Sequence, residues 1–411
     1  MLGMIIAALF LTVAASPVVV TPRRSVPAEA NVPASSATFQ WGLCVYPSPT
    51  PGYKIDGKDL DMLTSNGINW IAIDFAWSEI EAAKGYYDFA YYDYLVNEAI
   101  ARGIGVTGKL ANTFNGIVKR LVPDWAGISD PAISDFAADY IAATVSHFKD
   151  RVKYWQVGNE ENKADVDVMR GERHSVVSME QIRQLLKKGS EAIRNADPSA
   201  YIMISVATEI PGWISYLNRV TNSWNISYDI VAVQSFPCAT LRMGTYGLLE
   251  IPSLGYSIKH EIEAAKRFKD RVIVTQAGYF TRFVKSERAQ ADFVKYAVKG
   301  CIDGGGEGVY FYCYLDNPHD SPSVEKNFGF LRSDRTPKPA WHTYGKIIED
   351  PTIIEPLGVP SITSMLISMV GVLNKPLIAR SANVLLSILA EQLSTTHIGR
   401  MIIRHILVRL T

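Results

Sequence analysis

From Phe39 to about Ile348 the chain alternates short apolar runs with amphipathic stretches. The runs Gln40–Val45, Asn69–Phe75, Gly105–Leu110, Val152–Val157, Tyr201–Val206, Ile230–Val233, Val272–Thr275 and Gly308–Tyr314 read as strands. Helical spacing fills the intervals. Asp59–Ser65 is closed by Asn66-Gly67, and Tyr91–Arg102 places Leu95, Ala99 and Ile100 on one face. Ser134–Lys149 carries a stripe through Phe136, Tyr140, Ala143, Val145 and Phe148. Ser178–Asn195 opens on a capping box, with Gln181 three residues after Ser178. Further helices are expected near 211–220, 256–269 and 285–303.

Eight strands alternating with helices predict an α/β fold of the (β/α)8, or TIM, barrel type. An open doubly wound sheet is the alternative, but no G-x-G-x-x-G follows the first strand. In a barrel the C-terminal strand ends face the active site, so candidate chemistry is sought there.

The pattern changes at both ends. Residues 1–30 are apolar as far as Val20, with no charge before Arg23, and are expected to be a signal peptide or signal anchor. Ala28-Glu29-Ala30 is the cleavage candidate, and 31–38 reads as a linker into a barrel spanning 39–349. Residues 350–411 read as an apolar helical C-terminal extension. Ile362, Met365, Leu366, Met369, Val370 and Leu373 form a helix stripe there. Helices at 376–391 and 397–410 follow, the last carrying Arg400, Arg404 and Arg409. Packing on the barrel, self-association or a membrane surface would each use residues 356–410. A secreted or membrane-associated extracellular protein is expected.

Composition adds limits. The 411 residues suffice for one large barrel or two ordinary domains. The 41 basic and 41 acidic residues balance, so no nucleic-acid partner is expected. Cys44, Cys238, Cys301 and Cys313 are scattered without C-x-x-C, against a zinc or redox motif. They are buried thiols or, in an exported protein, disulfide partners. No metal and no cofactor is expected.

The most informative segment is Tyr154-Trp155-Gln156-Val157-Gly158-Asn159-Glu160-Glu161-Asn162, at the end of the fourth strand. An Asn-Glu pair alone is usually a solvated turn; the preceding helix, the strand and the barrel position make it specific. Here the chain resembles the clan A glycoside hydrolases, the barrel superfamily that includes families 5, 10 and 39. Trp77-Ser78-Glu79-Ile80-Glu81 with Gly85-Tyr86-Tyr87-Asp88-Phe89 is similar to that clan's segment after strand two. Ala192-Ile193-Arg194 with Ala196-Asp197-Pro198 is similar to its helix-four ending. Asn327-Phe328-Gly329-Phe330-Leu331 and Thr336-Pro337-Lys338-Pro339-Ala340-Trp341 are similar to its closing segment. The resemblance covers about residues 39–348, and within the clan the chain looks family 39-like or family 5-like. It implies Glu160 as general acid/base and Asn159 as the residue that holds the sugar's 2-hydroxyl.

The resemblance also implies a nucleophilic Glu at the end of strand seven. In retaining glycosidases the two carboxyls stand about 5–5.5 Å apart. In Val272-Ile273-Val274-Thr275-Gln276-Ala277-Gly278-Tyr279 that position is Gln276, an amide. Two further positions depart together. The Arg near the end of strand two is replaced by Ala72, and the His-x-Tyr of strand six by Gln234-Ser235-Phe236. Arg and Tyr would hydrogen-bond or neutralise the nucleophile's charge. A buried Arg facing a neutral amide would be an unpaired charge, so the three changes are mutually consistent. Asp74, Glu209 and Asp316 are the carboxylates that could serve in an atypical mechanism, Asp74 or Glu209 being preferred.

Among the aromatics, Trp41, Trp77, Trp125, Tyr279, Tyr310, Tyr312 and Tyr314 are placed at the mouth. Trp77, Gln234, Phe236, Tyr279 and Tyr312, with Asn159, are the candidate sugar contacts. The expected function is hydrolysis of O-glycosyl bonds in a β-linked polysaccharide or glycoside, with an oligo- or polysaccharide as partner. A glycan-binding barrel without turnover, or a structural module, are the alternatives.

Overall fold

The computed structural model describes residues 39–45, 54–111, 122–127, 130–164, 178–210, 212–236, 251–281, 286–317 and 325–354. The expected leader, linker and most of the C-terminal extension lie outside them. No helix among the described residues is long and apolar enough to cross a membrane.

Eight parallel strands close into a barrel in sequence order. They are β1 (Gln40–Val45), β2 (Trp70–Asp74), β3 (Gly105–Leu110), β4 (Tyr154–Val157), β5 (Tyr201–Ala207), β6 (Ile230–Ser235), β7 (Arg271–Gly278) and β8 (Gly308–Tyr312). The helices between them are α1 (Gly57–Ser65), α2 (Trp77–Ile80), α3 (Ala90–Ala101), α4 (Ile133–Phe148), α5 (Met179–Ala196), α6 (Trp213–Asn218), α7 (Ile251–Ala265) and α8 (Glu287–Asp303), with α9 (Pro339–Glu349) after β8. Five of the strands, β2, β3, β4, β6 and β8, are buried at every residue because helices cover the outside and side chains fill the inside.

Local chemistry sets the element ends. Ser178 Oγ accepts from Gln181 N–H at 3.2 Å, while the Gln181 side chain accepts from Ser178 N–H at 2.9 Å, the expected capping box on α5. The lower barrel interior is closed by Tyr310, whose hydroxyl donates to Gln40 at 2.6 Å and lies 3.0 Å from Thr107 Oγ1. Gly42 makes room for that ring, since a Cβ there would fall 2.3 Å from Tyr310 Cδ1.

The segment after strand two is built around Glu81. Its carboxylate accepts from Trp77 Nε1 at 2.7 Å and from Gly85 N–H at 2.8 Å, and its carbonyl accepts from Trp125 Nε1 at 2.8 Å. Trp77 stacks on Tyr140 with centroids 5.5 Å apart. The motif therefore ties a loop to α4.

Cys44, Cys301 and Cys313 are buried and form no disulfide among the described residues, in line with the thiol reading, and Cys238 lies outside those residues. Burial pushes the thiols of Cys44 and Cys301 up to about 12, so both stay protonated and unreactive.

Candidate active site

The end of β4 is a tight, fully internal turn. Gly158 and Glu160 both adopt left-handed backbone, with φ of 67° and 58°. Such a φ is uncommon for a residue with a side chain and needs outside support. Two neighbours on β5 supply it. Glu160 N–H donates to Ser205 Oγ at 3.0 Å, and Asn162 exchanges two 2.9 Å bonds with the backbone of Ala207. Glu161 folds beneath the turn, where its Oε1 accepts from Asn159 N–H at 3.0 Å. A Cβ at Gly158 would lie 2.7 Å from that oxygen, so only glycine fits above it. Burial drives the Glu161 carboxyl up to about 8, assisted by the charge of Glu160.

Asn159 is positioned by amides from both sides. Its Oδ1 accepts from Gln234 Nε2 at 2.6 Å and from Gln156 Nε2 at 3.2 Å. Gln156 Oε1 in turn accepts from Thr275 Oγ1 at 3.3 Å. A polar network thus crosses the barrel from β6 through β4 to β7.

Gln276 is buried and lies in register with Gln234. On β7 Val274 pairs with Val233 while Gln276 pairs with Gln234, so Thr275 is an inserted bulge residue. A second register shift separates Val274 from Ala277 opposite β8. The bulge frees the Thr275 hydroxyl for the network and brings Gln276 level with Gln234.

Ala72 is fully buried between Cys44 and Thr107 in register, and brings no charge to the site. The cation here is Lys109 of β3, which the sequence reading passed over. Lys109 is almost wholly buried and pairs with Asp74 at 3.1 Å. Burial alone would lower its pKa; the charge of Asp74 foremost, with that of Glu160, outweighs this, and the net direction is up. Period-two alternation through Thr107 and Lys109 was the available signal that this lysine points inward.

The other carboxylates separate clearly. Asp74 is engaged by Lys109, and Asp316 by the buried Lys338 at 2.8 Å and by Gly329 N–H at 2.8 Å. Asp316 therefore fastens the closing segment to the barrel. Glu209, just past β5, shares a lysine neighbour with Glu160. Lys163 contacts the Glu160 carboxylate directly and lies 3.9 Å from Glu209 Oε1. Burial, then the charge of Glu160, raises the Glu209 pKa.

The candidate aromatics divide as well. Phe236, Tyr312 and Phe328 pack as a cluster, with centroids 5.7, 5.8 and 5.2 Å apart, at the ends of β6 and β8. Gly278 admits it, because a Cβ there would sit 2.4 Å from the Phe236 ring. The peptide bond after Tyr312 is cis. Trp77 is 1% exposed and sits in the core, offering no face to a ligand. Tyr279 stacks on Phe293 of α8 at 5.5 Å, on the helix side of the barrel. Trp41, at the start of β1, packs on Tyr344 and belongs to the opposite end from the mouth. Tyr310 and Tyr314 are internal, the latter donating to Asp59 at 2.8 Å.

A family model described as glycosyl hydrolase family 53 matches residues 53–300, more than half of the chain. The chain belongs to glycosyl hydrolase family 53. The expectation of a clan A barrel holds; the closer guesses within it were families 39 and 5, and the matching model is that of family 53. Solved structures similar to this family 53 barrel include an exo-β-1,4-mannosidase from Opitutaceae bacterium strain TAV5, at 16% identity and TM-score 0.61 over 77% of this chain. The chain spans 60% of that mannosidase's length. A GH5_18 protein from Streptomyces cattleya in complex with Manβ1-4GlcNAc is similar at 17% identity and TM-score 0.61, over 78% of this chain and 82% of its own. A family 39 glycoside hydrolase from Bacteroides cellulosilyticus WH2 is similar at 20% identity and TM-score 0.55, over 77% of this chain and 64% of its own. At these identities the likeness is one of fold.

Proposed function

We propose that this family 53 barrel hydrolyses O-glycosyl bonds of a β-linked polysaccharide or glycoside, with Glu160 as its general acid/base. One observation carries the reading. Asn159 and Glu160 stand together at the mouth of β4, and Oε1 of Glu160 is buried with no hydrogen-bond partner among the described residues. A buried, unsatisfied carboxyl oxygen beside a positioned amide suits a leaving oxygen and a neighbouring sugar hydroxyl. Sugar-binding relatives of the same fold, one in complex with Manβ1-4GlcNAc, support a carbohydrate as the occupant.

In this reading Gln276 takes the nucleophile's place, where an amide cannot form the carboxylate ester intermediate of the usual double displacement. In the reading preferred here, Glu160 gives its proton to the leaving oxygen as the bond to the anomeric carbon breaks. Water then adds to that carbon and returns a proton to Glu160. Gln276 also favours a second reading, a barrel that binds a glycan without turnover.

The test is a panel of β-linked oligosaccharides scored for both binding and cleavage, using wild type and Glu160→Gln. Cleavage by wild type, reduced roughly 100-fold to 10,000-fold in Glu160→Gln with binding retained, is the expected result. Binding without cleavage by wild type would favour the second reading, and no binding at all would contradict both.

A further inference from the structure

Without a carboxylate at position 276, Glu160 lacks the like-charged partner that keeps one carboxyl of a glycosidase pair protonated. A different carboxyl stands close by. Glu209 lies at the end of the next strand, its side chain 7% exposed, and its Oε2 is buried with no hydrogen-bond partner among the described residues. The Glu160 side chain is 8% exposed and its Oε1 is in the same condition. One ammonium, that of Lys163, serves both: it contacts Glu160 Oε2 and stands 3.9 Å from Glu209 Oε1.

We propose that Glu209 is the second titrating carboxyl of the site, sharing one proton with Glu160 across Lys163. The proposal rests on the hydrolytic reading above and deepens it. Two desolvated carboxylates beside one ammonium would leave a buried net negative charge, and one proton removes it. The surrounding charges are consistent. Glu209 faces Glu160 and Lys163 from the β4 turn and Glu261 from α7. Glu160 also faces Glu161 beneath it and Lys109 on β3. Lys109 is neutralised by Asp74, and Glu161 is held neutral up to about 8, so neither supplies the missing charge balance. The pair's raised member, Glu209, carries the proton at rest, because burial and the Glu160 charge both act on it in that direction.

Glu209 acts through Glu160 and is a positioning residue. When the shared proton is on Glu160, Glu209 is left ionised with the Lys163 ammonium 3.9 Å away to balance it. Glu160 then protonates the leaving oxygen as the glycosidic bond breaks. The proton from the entering water returns to Glu160, so the unit ends with the one carboxyl proton it began with.

The experiment compares wild type, Glu209→Gln and Glu209→Asp in the full chain, by pH–rate profiles of kcat/KM and by carboxyl carbon NMR titration. Glutamine matches the shape of a neutral carboxyl, so folding should survive. The expected result is an alkaline limb moved to lower pH by about one unit or more in Glu209→Gln, with Glu209→Asp moving it back. KM should stay within about threefold while kcat falls. A Glu209→Gln profile superimposing on wild type would overturn the proposal and leave the hydrolytic reading standing. If wild type cleaves nothing, that reading fails; the titration then decides the sharing alone. Linked titration of the Glu160 and Glu209 resonances supports it, and independent titration overturns it.

Discussion

Gln234 holds Asn159. The Gln234 amide on β6 donates a 2.6 Å hydrogen bond to the Asn159 side-chain oxygen at the end of β4. The strand-six residue that replaces the expected His thus positions the residue implied to hold the sugar's 2-hydroxyl. Gln276 lies beside it in register on β7.

Gln234→Leu should loosen that grip. Gln156 remains as the second donor to Asn159, at 3.2 Å, so the turn should survive. Stability should fall by about 1 kcal/mol, the net worth of one such bond. Glycan affinity should fall several-fold, more than stability alone explains. Isothermal titration with a bound oligosaccharide checks this; unchanged affinity would show that Asn159 needs no support from β6.

The Lys109–Asp74 pair is a buried ion pair. Lys109→Met alone leaves Asp74 uncompensated and should cost about 3–5 kcal/mol in urea unfolding. Adding Asp74→Leu to it should recover most of the loss, because the packed apolar pair removes the stranded charge. The pH sign follows from the raised pKa of Lys109. Its stabilisation is present below the ordinary lysine value and is lost as pH rises through the higher folded value. The window is therefore alkaline, above the ordinary value of 10.5.

Glu161 gives a second window of the same sign at lower pH. Its folded pKa is raised from 4.5 to about 8, so the folded state prefers the neutral form. Stability linked to Glu161 is fully present below 4.5 and is lost as pH rises to about 8. Glu161→Gln keeps an acceptor for Asn159 N–H but cannot ionise. The variant should lose less stability than wild type between the two ends of that window. Thermal unfolding at acid and mildly alkaline pH reads the difference; parallel curves would contradict the assignment.

Gly278→Ala tests the aromatic cluster. The added methyl would sit 2.4 Å from Phe236, which must turn away from Tyr312 and Phe328. Overpacking of this kind costs about 1–3 kcal/mol. If the cluster lines the sugar site, oligosaccharide binding weakens beyond that loss; unchanged binding would place the cluster in the core alone.

The barrel was legible because most strands are buried and largely apolar, as β2, β6 and β8 are, and β1 and β3 were bounded correctly to the residue. The end of β7 was not. Thr275, Gln276, Ala277 and Gly278 carry no apolar run, since the bulge turns polar groups into the barrel instead of ending the strand. The turn at Asn159 and Glu160 was legible from its place after β4. Which aromatics face the mouth was not, because Trp77 at a strand end has the same local sequence whether it meets solvent or Tyr140. The lysines were missed for a related reason. Lys109 and Lys163 look like surface residues until their partners, Asp74 in one case and Glu160 with Glu209 in the other, are brought to them by the fold.

The central claim is a glycan site that retains Glu160 but has no strand-seven nucleophile. Intact-protein mass spectrometry after incubation with 2-deoxy-2-fluoro-β-glycosides tests it directly. Wild type should remain unlabelled, and Gln276→Glu should gain the mass of one glycosyl group on residue 276. A stable glycosyl adduct on wild type, at any barrel residue, would contradict the account.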